Sequence, residues 1–187
     1  MDGTPRKMVA VNDTLQSHYE QKYRSEAHGH TVRNIKPTPR PLDRFEAAVS
    51  TIPRYLKGGC VLELGAGDGA VAKALLGADL GIQTYDLGDI SLARVNGVRE
   101  NLADTRVRVR QLDAENLDGE EANRYDAIIM IALIEHFVDP LAAMIGIQRL
   151  LKPNGFVYID TPNIAKYTRR AQLLLGASHP LRLRTRG

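Results

Sequence analysis

The chain has 187 residues, 43% of them hydrophobic and 25% charged, with a net charge of +3. That length suits one domain with a small appendage, and the composition is that of an ordinary globular protein. No apolar run is long enough for a membrane span. Residues 1–8 lack the apolar stretch of a signal peptide, so a cytoplasmic location is the default expectation. The single cysteine, Cys60, excludes an internal disulfide and a multi-cysteine zinc site, and no metal site is expected.

The charge is segregated. Residues 1–60 carry ten Lys/Arg against six Asp/Glu, residues 61–162 nine against sixteen, and residues 163–187 six against none. An acidic middle argues against a nucleic-acid surface, and the basic end reads first as a solvated tail.

The chain divides into a polar segment and linker over 1–41, an α/β domain over 42–162, and a basic helix and tail over 163–187. A short helix is predicted around Thr14 to Arg24. Pro37, Pro39 and Pro41 disfavour helix and sheet ladder, so 36–41 is predicted extended. A helical stripe then runs from Leu42 to Leu56, opened by Asp43 and kinked or ended at Pro53. Strands are predicted at 61–64, 81–86, 107–112, 127–133 and 156–160. Helices are predicted between them at 68–76, 90–103 and 140–151, the last capped by Asp139 ahead of Pro140. The third strand alternates like a partly exposed edge, and the fourth is apolar throughout, as in a strand buried on both faces. Strands joined through helices imply right-handed crossovers and a parallel sheet. The fold class is doubly wound α/β. A basic amphipathic helix is predicted at 164–175, and 181–187 resembles no packed element.

Between the first strand and its helix lies Val61-Leu62-Glu63-Leu64-Gly65-Ala66-Gly67-Asp68-Gly69. Glycines there let the backbone turn sharply and let a ligand approach it closely, with the free N–H groups of the helix start facing that ligand. In open α/β sheets ligands bind beyond the carboxyl ends of the strands. Each strand ends there in a polar group: Glu63, Asp86, Asp113, Glu135-His136 and Asp160. Asp86 stands 21 residues after Gly65 and is the candidate for holding ribose hydroxyls.

With Tyr85-Asp86, Gln111-Leu112-Asp113-Ala114, Tyr125-Asp126-Ala127-Ile128-Ile129, Glu135-His136-Phe137-Val138-Asp139-Pro140 and Leu150-Leu151-Lys152-Pro153-Asn154-Gly155, the glycine stretch forms an ordered set over residues 50–163. As a set, these pieces resemble the class I S-adenosylmethionine-dependent methyltransferases. The resemblance implies a Rossmann-like sheet of order 3-2-1-4-5 and S-adenosyl-L-methionine as cofactor. It implies that Gly65, Ala66 and Gly67 lie against the methionine part, with Glu63 near its amino end. Asp86 would hold the ribose hydroxyls and Asp113 with Ala114 would read the adenine amine, with Leu87 and Ala132 completing the cofactor-binding set. His136 is the candidate catalytic base, because its imidazole suits proton transfer near neutral pH.

The expected reaction is methyl transfer to a small-molecule acceptor. O-methylation is favoured; no Asn-Pro-Pro-Tyr-like sequence follows the fourth strand, which argues against amino-group methylation of nucleobases or glutamine. Thr161-Pro162-Asn163, Arg170 and Leu173-Leu174-Leu175-Gly176 resemble members acting in quinone, lipid or glycan pathways and the methionine-biosynthesis W-like proteins. Two further strands of the family's sheet are not found in the chain, so a homodimer completing the sheet edge is one expectation. Two alternatives stand beside this reading. One is a non-catalytic cofactor-binding partner protein. The other is an NAD(P)-dependent oxidoreductase, whose fingerprint Gly65-x-Gly67-x-x-Ala70 formally fits; Glu63, Asp68 and the acidic middle would repel its pyrophosphate.

Overall fold

The structure, a computed structural model, describes residues 16–18, 20–22 and 32–162. The predicted helix at 164–175 and the segment 181–187 lie outside the described residues. Residues 16–18 and 20–22 are helical, within the span predicted for the first helix.

Helix α1 (Arg44–Thr51) starts at Asp43, whose carboxylate accepts from the N–H groups of Phe45 and Glu46. Glu46 reaches back to accept from Leu42 N–H at 2.7 Å, so three backbone donors at the helix start are satisfied by side chains. Pro53 shortens the predicted helix: after Thr51 the chain tightens into a 3₁₀ turn, Ile52–Arg54. The remaining elements alternate as β1 (Gly59–Leu64), α2 (Ala70–Leu76), β2 (Ile82–Asp89), α3 (Leu92–Asn101), β3 (Val107–Gln111), β4 (Tyr125–Ile131), α4 (Pro140–Leu150) and β5 (Leu151–Asp160). Helix α4 is capped by Asp139 with Pro140 at its first turn, as its sequence dictates.

The five strands form one parallel sheet in the order β3-β2-β1-β4-β5. Helices cover both faces. On one, Val61, Tyr85, Leu87, Ala127 and Ile129 meet α1, the 3₁₀ turn after it and α2 through Val49, Ile52, Val71 and Leu75. On the other, Leu62, Leu64, Ile128 and Met130 meet Ile147 and Leu150 of α4. The strand order reverses between β1 and β4, which opens a crevice at their carboxyl ends.

Two boundaries differ from expectation in ways that matter. Strand β2 runs three residues past Asp86, to Asp89. Strand β5 begins at Leu151, and the predicted stop at Lys152-Pro153-Asn154-Gly155 survives as an irregularity within it: pairing jumps from Tyr125↔Leu151 to Ala127↔Phe156, with Asn154 at φ 68°. No helix among the described residues is long and apolar enough to cross a membrane.

Candidate active site

The crevice is a cavity of about 730 Å³ at the carboxyl edge of the sheet, a size suited to a small-molecule ligand. Its floor is the turn from β1 to α2. Gly65, Gly67 and Gly69 all adopt positive φ (74°, 57° and 75°), which only glycine takes without strain. The turn is pinned to β2: the N–H groups of Gly65 and Ala66 both donate to the Gly88 carbonyl, at 2.8 and 3.2 Å. Among the described residues, a Cβ on Gly67 would meet only the Gly65 carbonyl oxygen, at 3.9 Å, so backbone lies open to the cavity there.

Of the residues predicted from the sequence, the structure brings Glu63, Gly65, Ala66, Gly67, Asp113, Ala114, Ala132 and His136 to this cavity. It does not bring Asp86 or Leu87. Side chains alternate along a strand, and Leu87 is fully buried in the core under α2. Asp86 points to the opposite face, where its Oδ2 accepts from the Tyr125 hydroxyl at 2.8 Å and from Arg124 at 3.0 Å. It pairs in register with Leu62, three residues below the edge of the sheet, or about 10 Å.

The acid that β2 delivers to the cavity is Asp89. It lies beside the glycine turn, since β1 and β2 run Leu64 against Gly88, and it is 9% exposed. Its Oδ1 accepts from Ser91 N–H at 2.9 Å. Burial raises its carboxyl above the usual range, while the backbone bonds from Ser91 and Gly67 and the charge of Arg94 act against that rise. The clue in the sequence is Asp89-Ile90-Ser91, an acid just ahead of a helix N-cap: Ser91 Oγ accepts from Arg94 N–H at the start of α3.

Glu63 is 4% exposed and accepts from the Tyr85 hydroxyl at 2.8 Å. Burial pushes its carboxyl up to about 8; the Tyr85 bond opposes the rise, and the neighbouring Asp68 carboxylate adds to it. Asp68 is itself paired with Arg33 at 2.9 Å, and the Arg33 guanidinium lies 4.1 Å over the Phe45 ring. Arg33, Arg44 and Phe45 line the cavity, and no local sequence pattern marks them for it, because they reach the site from outside the strand–helix units. Asp113 accepts from Glu115 N–H at 2.9 Å, which fixes the loop after β3. Ala132, at the end of β4, holds a left-handed φ of 51° and donates its N–H to the Asp160 carbonyl at 2.8 Å. Strained backbone of this kind clusters at functional sites. His136 ends a 3₁₀ turn, Ile134–His136, and stands exposed on the rim.

A parallel sheet of this order, with a glycine turn and buried acids at its reversal point, defines a doubly wound α/β protein with a ligand crevice at the switch point. Comparison with known proteins narrows it. Residues 40–184 match the family model described as a methyltransferase domain. The ubiquinone biosynthesis O-methyltransferase of Acinetobacter baylyi is 30% identical over 136 residues, covering 71% of this chain and 55% of that protein. Among solved structures, one from work on the conversion of a disulfide bond into a thioacetal group during echinomycin biosynthesis is 27% identical, with a TM-score of 0.58 over 77% of this chain and 60% of that one. The trans-methyltransferase CalH in complex with SAH shares the fold at 24% identity and a TM-score of 0.52, over 62% of this chain and 37% of that one. The chain belongs to the class I S-adenosylmethionine-dependent methyltransferases. It spans about half the length of the curated relatives it matches.

Proposed function

We propose that the cavity binds S-adenosyl-L-methionine and that the protein directs its methyl group to the hydroxyl oxygen of a small-molecule acceptor. The observation that carries this reading is the placement of two buried carboxylates, Glu63 and Asp89, on either side of the open backbone at Gly67. Acids so placed favour a cationic, hydroxyl-bearing ligand, opposite which they ionise, and offer no positive charge to a pyrophosphate, which weighs against the dinucleotide alternative.

When bound, S-adenosylmethionine supplies a methyl carbon activated by its sulfonium. Asp89 is the residue placed to accept from ribose hydroxyls, in the role first expected of Asp86. Asp113 with Ala114 borders the cavity where an adenine amine would be read, and Glu63 faces the amino-acid end. The Ala66–Asp68 backbone fixes the ligand's direction, and holding the two reactants in line lowers the entropic barrier. His136, on the rim of the same cavity, is the candidate to take the acceptor's proton as general base. The hydroxyl acceptor is favoured by the likeness to O-methyltransferases named for ubiquinone biosynthesis.

The test is transfer of a labelled methyl group from S-adenosylmethionine to a panel of phenols, catechols and aliphatic alcohols. Product that depends on His136 supports the reading. Ligand binding with no turnover on any acceptor supports a non-catalytic binding protein instead.

A further inference from the structure

Glu63 is buried with too few partners to be comfortable as an anion. Its Oε2 accepts one hydrogen bond, from the Tyr85 hydroxyl of β2, and no ion pair joins it to Lys or Arg among the described residues. Strand β4 sets apolar Ile129 opposite it, and α2 covers this face with Val71, Ala72 and Leu75. The glycine turn adds Asp68, a second carboxylate whose charge Arg33 takes up. Beyond Tyr85, β2 contributes Asp89 with Arg94 beside it, and Arg44 and His136 share the same cavity. The one open side of Glu63 is therefore the cavity itself.

We propose that Glu63 is a proton-linked receptor for the ligand's ammonium group: neutral in the free pocket, it loses its proton to solvent as the ammonium arrives, one proton for each ligand bound. The inference rests on the reading of the cavity as an S-adenosylmethionine site. The carboxyl O–H bond breaks, its electron pair stays on the carboxylate, and the proton leaves through the cavity to the buffer. A neutral acid and an ammonium cation become an ion pair and a free proton. Burial raises the Glu63 carboxyl to about 8 in the ligand-free protein, whereas an opposite charge a few ångströms away favours the ionised form. Affinity for an ammonium-bearing ligand then rises with pH by close to tenfold per unit at mildly acidic to neutral pH. A nucleoside lacking the amino-acid part gains nothing.

The experiment is calorimetric titration of the full chain at about pH 6.5, in buffers of differing ionisation enthalpy, with S-adenosylhomocysteine and with 5′-methylthioadenosine. About one proton is expected to be released per S-adenosylhomocysteine and about none with the nucleoside. Glu63→Gln is expected to abolish the release and flatten the pH dependence of the dissociation constant. S-adenosylhomocysteine binding without proton release overturns the inference and leaves the cofactor reading standing, as does release that persists in Glu63→Gln. Absence of binding by the folded wild type overturns both. The nucleoside comparison uses only the wild-type chain, so it decides the matter even if the variant fails to fold.

Discussion

Glu63 and Asp86 sit on adjacent strands and are almost equally buried, yet the fold treats them in opposite ways. Asp86, 1% exposed, faces the α4 side and accepts from Tyr125 and Arg124. Around it the network continues: Arg110 pairs with Glu120 and reaches toward the Tyr125 hydroxyl, and burial pushes that phenol up to about 12. Its other oxygen, Oδ1, is buried and has no hydrogen-bond partner among the described residues, so within them even this acid is satisfied only in part. Glu63, on the α2 side, has one hydroxyl and a cavity. A buried charge is costly unless it is paired and hydrogen-bonded. At Asp86 the protein supplies the cation itself. At Glu63 it leaves the place for one open, and that difference separates a structural acid from one directed at a ligand.

Glu63 and Asp86 differ most in their dependence on pH. The unfolded chain gives up the Glu63 proton near 4.5, the folded ligand-free protein near 8. Between those values the folded state holds more protons than the unfolded one, so this group's contribution to stability is full below the lower value and falls as pH rises through the window. Urea unfolding from pH 5 to 9 should show a loss of up to about 5 kcal/mol in the wild type that is missing in Glu63→Gln. A parallel decline in both proteins would mean that Glu63 is ionised in the folded state. Next in size is Asp86→Ala, which strands a buried hydroxyl and a partly buried guanidinium. Unfolding of that variant should show a loss of about 3 kcal/mol, with ligand affinity unchanged at temperatures where it is folded. The smallest effect belongs to Asp89→Ala. Stability should barely move, while affinity for S-adenosylhomocysteine falls about tenfold to a hundredfold, the worth of charge-assisted hydrogen bonds to a ligand.

Much of this arrangement was legible in the amino acids. The apolar run of β4, the alternation of β3 and the caps Asp43 and Asp139 all specify local structure through period and hydrogen-bonding chemistry, and the elements follow them. The glycine turn announced the ligand-facing end of β1. What went astray was the end of β2. Tyr85-Asp86 reads as a strand closing on an acid, and Gly88 looks like a break. Tertiary packing decides otherwise: a Cβ at Gly88 would lie 2.9 Å from Leu112, and its carbonyl receives the two N–H groups of the glycine turn. Gly88 is therefore a point of close approach inside the strand, and the acid at the edge is Asp89. Pairings such as Glu63 with Tyr85 and Asp86 with Tyr125 depend on strand register, which no single strand encodes. Arg33 and its stacking on Phe45 depend on where the N-terminal segment docks, again a tertiary matter.

The most direct test of the account is a paired calorimetric titration of Asp89→Ala and Asp86→Ala with S-adenosylhomocysteine, beside the wild type. The structure predicts that Asp89→Ala loses affinity by at least about tenfold while folded Asp86→Ala binds as the wild type does. Wild-type affinity in Asp89→Ala with loss confined to Asp86→Ala would contradict it, and would return the ribose acid to the position first read from the sequence.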